Sequence, residues 1–357
     1  MGAPHRFQAA HLHAIARRLF SAAGAPRHIA DDVAEILVNS NLAGHDSHGV
    51  LRIPAYLNGV SNGGIVPAAE PKVVQETAVT LLLDGGGGFG HYTARKAMAL
   101  AIEKAKQAHV CNVSFVRIGH MGRLGEYAEA AARAGCVGLL TYGIGARDSG
   151  STVPYGGAKG TLGTNPLAVG IPTGDEAPFI IDFATSTVAE GKLQVARSKG
   201  ADLPPGLIVD KQGAPSIKPA DFYDGGYLLP FGGHKGYALS LMVCLLGGLA
   251  GGFNAEKSGM GGMFMHVMDV NAFTSLETYQ RNVRAFLDGL KTMPPAPGFA
   301  EVLVPGDFER RARAERLTHG LELPGPICEQ IQECAAGLNV PLGEEIVEPA
   351  DVGRYRR

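Results

Sequence analysis

Almost no net charge is present in this chain: 32 Lys and Arg oppose 34 Asp and Glu in 357 residues, a formal charge of −2. That balance supplies no basic field for nucleic acid and no polybasic patch for a membrane surface. Cysteine is sparse and scattered (Cys111, Cys136, Cys244, Cys328, Cys334). With no Cys-x-x-Cys, zinc-ribbon and thioredoxin chemistry have no signal, and the thiols read as buried and free in a reducing cytoplasm. No long apolar run is present either. The longest, Tyr237–Phe253, is broken by glycine and falls short of the ~20 residues of a membrane span, so it reads as a buried helix ending in a Gly-rich loop. The first twenty residues lack the apolar stretch of a signal peptide.

Glycine is abundant: fifty residues, about twice the usual ~7% share. It is clustered, as expected where turns are tight or backbone must approach a ligand. Hydrophobic content of 45% supports a sizeable core, and the length suits two domains. Helical spacing predicts two helices between Ala9 and Gly44, then a third up to Asn58. Alternation of apolar strands with Ala-rich helices follows: Val79–Asp84, Thr93–Ala108, Val110–Arg117, then GEYAEAAARAG and CVGLLTYG. This β-α-β-α-β order predicts an α/β domain with a partly parallel sheet. Further strands are expected at LAVGIP, FIIDFA and GMFMHVMDV. A helix is expected from Ser186, where Thr187 and Glu190 have capping-box spacing. Helices then close the chain. The arrangement predicted is a mostly helical discontinuous domain, 1–75 plus 275–357, around a central α/β domain, 76–274.

Gly85, Gly87 and Gly90 satisfy G-x-G-x-x-G after a strand, but a glycine run does so trivially. The next strand ends in Arg117 rather than an acid that could hold a ribose. It reads as a plain Asp-Gly turn. Four other stretches carry chemistry. In GHDSHGVLRIPAY, His48 and Arg52 are one helical turn apart. An arginine binds a carboxylate bidentately and a histidine exchanges a proton, unless the stretch is only a solvated turn. His45-x-x-His48 with Asp46 has zinc-compatible spacing, yet no third ligand cluster accompanies it, so no metal is expected. His120 follows a strand, where α/β sheets place ligand groups. Asp182 ends another strand ahead of Thr185 and Ser186, and is read as orienting an imidazole, holding a ribose, or simply capping a helix. Lys235 in PFGGHKGY offers a cation to an anion, but the glycine after it excludes a Walker loop.

Taken in order, NLAGHDSHGVLRIPAYL, GHMGRLGEYAEAAARAG, LGTNPLAVGIP, IDFATSTVAEGK, DKQGAP, PFGGHKGYALSLMV and LVPGDFERR resemble the type-2 malate/L-lactate dehydrogenase family. That family includes ureidoglycolate, sulfolactate and diketogulonate oxidoreductases and piperideine/pyrroline-2-carboxylate reductases. The resemblance implies a non-Rossmann α/β fold with a central cofactor-binding domain, NAD or NADP as cofactor, a small carboxylate substrate and a homodimer. It implies His48 as proton donor, Ser47 and Asp182 as its orienting network, Arg52 as carboxylate clamp, and His120 as a substrate-binding or alternative acid/base residue. Cofactor contacts are implied at Thr164, Asn165, Pro166, Asp182, Ala184, Thr185, Ser186, His234, Lys235, Gly236, Pro305, Gly306 and Asp307. Met121 and Arg123 depart from the usual loop, so substrate choice does not transfer. The activity implied is hydride transfer at C2 of a 2-oxo or 2-hydroxy acid. The alternatives are a cyclic imine reductase and a cofactor-binding protein without turnover.

Overall fold

The computed structural model describes residues 5–146, 149–175, 178–251, 259–343 and 346–355. β1 (His5–Phe7), α1 (Ala9–Ala22) and α2 (Arg27–Leu42) lead through two 3-10 turns, Asp46–His48 and Val50–Arg52, into α3 (Ile53–Ser61). The sheet region follows with β2 (Lys72–Glu76), β3 (Thr80–Asp84), α4 (Gly90–Ala108), β4 (Val110–Val116), α5 (Gly125–Arg133), β5 (Cys136–Gly145), β6 (Leu167–Ile171) and β7 (Phe179–Phe183). After α6 (Glu190–Ser198) come the short β8 (Ile208–Val209), β9 (Pro215–Ser216), α7 (Pro219–Tyr223) and β10 (Tyr227–Leu228). The chain continues through α8 (His234–Gly247), β11 (Met260–Asp269), α9 (Leu276–Lys291), α10 (Asp307–His319), β12 (Leu321–Leu323), α11 (Gly325–Leu338) and α12 (Pro349–Arg354). The end of the long apolar run, residues 252 and 253, lies outside the described residues.

The main sheet has seven strands in the order β2-β3-β4-β11-β5-β6-β7. Among the described residues only β3 and β4 pair in parallel; β5 runs in the same direction, which makes the sheet partly parallel as the alternating pattern predicts, but it is separated from β4. The cause is β11, which inserts antiparallel between β4 and β5 from well over a hundred residues downstream. Its side chains alternate cleanly, with Met263, Met265 and Val267 buried, as a strand covered on one face requires.

One apolar core draws on both ends of the chain, joining Leu12, Leu19, Phe20 and Leu37 to Leu321, Ile331, Ile346 and Tyr355. A second packs α4 and α5 onto the sheet through Met98, Phe115, Tyr127 and Leu140. α9 lies against this central part, with Leu276 beside Gly135 and Arg284 donating to the Thr173 carbonyl at 3.0 Å. The ends are clasped by β1 pairing with β12 and by a buried ion pair between Arg17 of α1 and Asp351 of α12. Glu348 and Asp31 also face Arg17, at 3.0 and 3.6 Å.

Glycine sets the closest approach between α5 and the sheet. A Cβ on Gly170 would lie 2.1 Å from the Ala128 carbonyl oxygen. Overpacking of this kind costs about 1–3 kcal/mol. Gly170→Ala should therefore lower the denaturant midpoint. An unchanged midpoint would mean that helix and strand can separate freely.

The helix expected from Ser186 begins instead at Glu190, after Ala189. Thr187 is not its cap, because its hydroxyl donates to the Leu207 carbonyl at 2.8 Å. α4 begins three residues before the predicted start, at Gly90, where a Cβ would meet the Gly119 and His120 carbonyl oxygens at 2.3 and 2.5 Å. That glycine brings the His120 loop down onto the start of α4.

Candidate active site

The turn bearing His48 is built on Asn41 of α2. Its Oδ1 accepts the Val50 N–H at 2.8 Å, and its Nδ2 donates to Asp46 at 2.7 Å. Gly49 leaves the room: a Cβ there would fall 2.1 Å from Asn41 Oδ1. His45 and Asp46, the other half of the zinc-like spacing, are engaged with α10. His45 Nε2 lies 3.0 Å from Glu309, and Asp46 pairs with Arg316 at 2.6 Å. Their work is to pin α10 to this turn.

His48 Nδ1 lies 3.0 Å from the Ser47 hydroxyl. Arg52 Nε donates to the Ser47 carbonyl at 2.7 Å, which fixes the guanidinium's direction. Its Nη atoms have no protein partner among the described residues, although the side chain is half-buried. Across the cleft the His120 ring stacks on His48, centroids 5.8 Å apart and planes 13° apart. Tyr56 Oη sits 2.7 Å from His120 Nδ1 and 3.4 Å from Nε2 of the fully buried His91. Arg52, Tyr56 and His120 line a cavity of about 360 Å³. Gly88, Phe89 and Gly90 form another of its walls. The glycine run that mimics a dinucleotide fingerprint is thus a cleft wall next to an Asp-Gly turn. Asp84 accepts the Gly86 N–H at 2.9 Å and pairs with Arg117.

Burial, then His120, then Arg52 push His48 down to about 3. Burial and Arg52 push His120 down to about 4, though its ring remains open to the cleft and water offsets part of that effect. Burial alone is the leading cause for His91, held well below the usual histidine value. Unfolded histidines ionise near ~6.5. Below that pH the unfolded chain binds more protons than the folded one, so stability is full above ~6.5 and is lost as the pH falls toward the folded values. Denaturant midpoints should drop between about pH 7 and pH 5. His91→Gln should flatten that slope, whereas an unchanged slope in this variant would remove His91 as a source.

Asp182, implied as part of the network that orients His48, has Arg123 and His45 as charged neighbours, as His48 has. Its Oδ2 accepts the Gly125 N–H at 2.7 Å, and it shares no hydrogen bond with His48 or Ser47 among the described residues. Arg123, buried in the same loop, is its strongest charged neighbour, and burial raises the Asp182 carboxyl against that pull. Arg123 is also one of the charges facing His48.

The implied cofactor segments converge in part. The Thr185 N–H and hydroxyl both donate to the Thr164 carbonyl, and the Thr185 carbonyl accepts the Phe231 N–H at 3.0 Å. Ser186 bridges to Pro230, so the segment Ala184 to Ser186 lies against the loop leading to His234, Lys235 and Gly236. At that helix start Gly232 and Gly233 take positive φ, and Lys235 is exposed with no carboxylate partner among the described residues. Asn165, at φ 42°, uses its side chain to hold Ile144 N, Ser240 and Cys244, while the Pro166 carbonyl accepts Tyr142 N. Beyond Pro305 and Gly306, Asp307 is paired with Lys291 at 2.8 Å and Arg310 at 2.6 Å.

Tyr56, His91 and Asn41 have no place in the sequence reading of this site. Tyr56 had a legible signal: it stands four residues beyond Arg52, as Arg52 does beyond His48.

Residues 7–332 match the family model described as malate/L-lactate dehydrogenase. The chain is 34% identical over 352 residues to hydroxycarboxylate dehydrogenase B of Escherichia coli K12, covering 96% of each. It is 35% identical to an L-lactate dehydrogenase of Cupriavidus necator, covering 92% of this chain and 96% of that one. Among solved structures, malate dehydrogenase from Entamoeba histolytica superposes with a TM-score of 0.89 at 28% identity, covering 95% and 99% of the two chains. The Δ1-piperideine-2-carboxylate reductase of Pseudomonas syringae pvar. tomato superposes with a TM-score of 0.79 at 32% identity, covering 93% and 100%. Full-length matches in sequence and in fold lead to one conclusion: the chain belongs to the malate/L-lactate dehydrogenase family of oxidoreductases.

Proposed function

We propose that this enzyme interconverts small 2-oxo and 2-hydroxy acids, with Arg52 holding the carboxylate and His48 exchanging the proton at the C2 oxygen. The observation that carries the reading is the half-buried guanidinium of Arg52. Its Nη donors are unpartnered among the described residues, and it shares a cavity of about 360 Å³ with His120. A cation left unpaired in a cleft is costly unless an anion arrives to meet it.

The cofactor that fits is a nicotinamide dinucleotide, NAD or NADP, which supplies or accepts the hydride. The positive-φ glycines, the helix N–H groups and Lys235 at the start of α8 suit its pyrophosphate, with Thr185 and Ser186 alongside. When the carboxylate binds, its charge offsets Arg52, one of the groups that keep His48 neutral. His48 then takes up a proton more readily and can give it to the oxygen as negative charge develops there. Exposed Leu241, Leu245 and Leu249 on and just beyond α8 support a homodimer, and the free cysteines support a cytoplasmic setting. No helix among the described residues is long and apolar enough to cross a membrane.

A panel of 2-oxo acids and cyclic 2-imino acids, followed at the nicotinamide absorbance with NADH and with NADPH, tests the reading. Turnover of oxo acids well above imines is the expected result. The likeness to the piperideine carboxylate reductase makes imine reduction the second reading, and a preference for the imines would establish it. Turnover of neither class overturns both.

A further inference from the structure

We propose that His120 is a fixed hydrogen-bond donor to the reacting oxygen, locked in one tautomer by Tyr56 and His91, so that His48 alone exchanges the proton. The assignment of the oxygen rests on the oxo-acid reading above. The tautomer itself follows from the protein alone.

The argument begins at His120 Nδ1. The Gly122 backbone N–H, which can only donate, points at this atom from 3.4 Å. Nδ1 is therefore the lone-pair nitrogen. The Tyr56 hydroxyl, 2.7 Å from the same atom, must then donate to it as well. A phenol has one proton to give, so its oxygen is left to accept, and His91 Nε2 stands 3.4 Å away. His91 thus carries its proton on Nε2. Its Nδ1 is buried without a partner among the described residues, and in this tautomer that atom is a bare lone pair rather than a stranded N–H. Each donor in the chain has an acceptor, and reversing the chain would set an N–H on His120 Nδ1 against the Gly122 N–H.

With Nδ1 committed, the His120 proton sits on Nε2. That nitrogen has no protein partner among the described residues, and the ring lines the cavity. A neutral imidazole held this way donates to an oxyanion without giving up its proton. Accepting a further proton would require Nδ1, already taken by two donors. His48 differs because, among the described residues, its Nδ1 hydrogen-bonds only to the Ser47 hydroxyl at 3.0 Å. A hydroxyl rotates to donate or accept, so it follows His48 through both protonation states. The stacked rings add a second constraint: two imidazolium charges with centroids 5.8 Å apart would repel each other, and Arg52 is positive beside them.

In the reduction, the C2 carbonyl carbon gains a hydride and its π electrons move to oxygen. That oxygen takes the Nε2 proton of charged His48, which becomes neutral. His120 keeps its own proton and holds the oxygen throughout. Oxidation runs the same transfers backwards. Tyr56 and His91 touch none of the reacting atoms and are positioning residues.

The test combines nitrogen-15 NMR of histidine-labelled protein with two variants. In the wild-type enzyme the His120 signals, identified by their loss in His120→Gln, should show a protonated Nε2 and an unprotonated Nδ1 at neutral pH. In Tyr56→Phe only the longer Gly122 contact still favours this tautomer, so some Nδ1-protonated form should appear, and kcat should fall about 10-fold with little change in KM. His120→Gln keeps an N–H donor and should lose far less activity than His120→Leu, which should fall about 10²–10³-fold, the effect of deleting an oxyanion donor. A protonated Nδ1 in the wild-type enzyme overturns the proposal. So does a His120→Gln variant as inactive as His120→Leu but still folded. Because the NMR signals need no substrate, they separate failure of the tautomer argument from failure of the oxo-acid reading.

Discussion

Replacing His48 with asparagine should cut turnover by about 10²–10⁴-fold, the range that positioned general acid–base catalysis contributes. Asparagine keeps a polar side chain in the turn but cannot carry a proton through a cycle. Arg52 should be undisturbed, since its Nε is held by the Ser47 main-chain carbonyl rather than by the imidazole. The loss should therefore appear in kcat, with KM for the carboxylate substrate and cofactor binding changing little. The pH profile should change with it. Free His48 is pushed down to about 3 and gains its proton only as substrate offsets the neighbouring charge, so reduction by the wild-type enzyme should weaken as pH rises. That limb should flatten in the variant. Turnover within a few-fold of wild type would remove His48 from the mechanism and leave the proton to His120.

The largest expected effect on stability lies far from the cleft. Asp351 is fully buried and pairs with both guanidinium nitrogens of Arg17, itself 3% exposed. It also accepts the Glu348 N–H at 2.9 Å in the capping box that starts α12. Asp351→Ala would leave a buried cation short of its main partner, a loss worth about 3–5 kcal/mol. Glu348 and Asp31 remain near Arg17, so the lower end of that range is the better expectation. Urea unfolding gives the comparison. A loss under about 1 kcal/mol would mean the remaining carboxylates take over the charge, as surface pairs do. Activity per folded molecule should stay near wild type.

Much of the site was legible because its residues lie close together in sequence. Ser47, His48 and Arg52 fall within two successive 3-10 turns, so closeness in sequence brings them together although the extended Gly49 breaks the helical path between His48 and Arg52. His120 is readable from its place after a strand. Tyr56 stood at the right interval, but tyrosine at helical spacing is usually core, and its hydroxyl partners come from two separate stretches. His91 was harder still. It is buried at a helix start, and only Gly90, by admitting the loop above it, brings it near His120. Asp182 is implied to orient His48, but among the described residues its carboxylate accepts from Gly125 and faces Arg123 without a hydrogen bond to Ser47 or His48. Local pattern gave no warning of that competition. The sheet shows the same division. Each strand is visible as an apolar run, whereas the insertion of β11 between β4 and β5 depends on pairing across more than a hundred residues.

The clasp between the chain ends also bears on how the molecule is made. α1 leaves the ribosome long before Asp351, Tyr355 and β12, which complete its surroundings far downstream. The sheet, with its partners between residues 72 and 269, can close earlier. The helical part that carries His48 and Arg52 therefore waits for residues far downstream, and a nascent chain of this enzyme can be well ordered at its centre before the turn bearing His48 is secured.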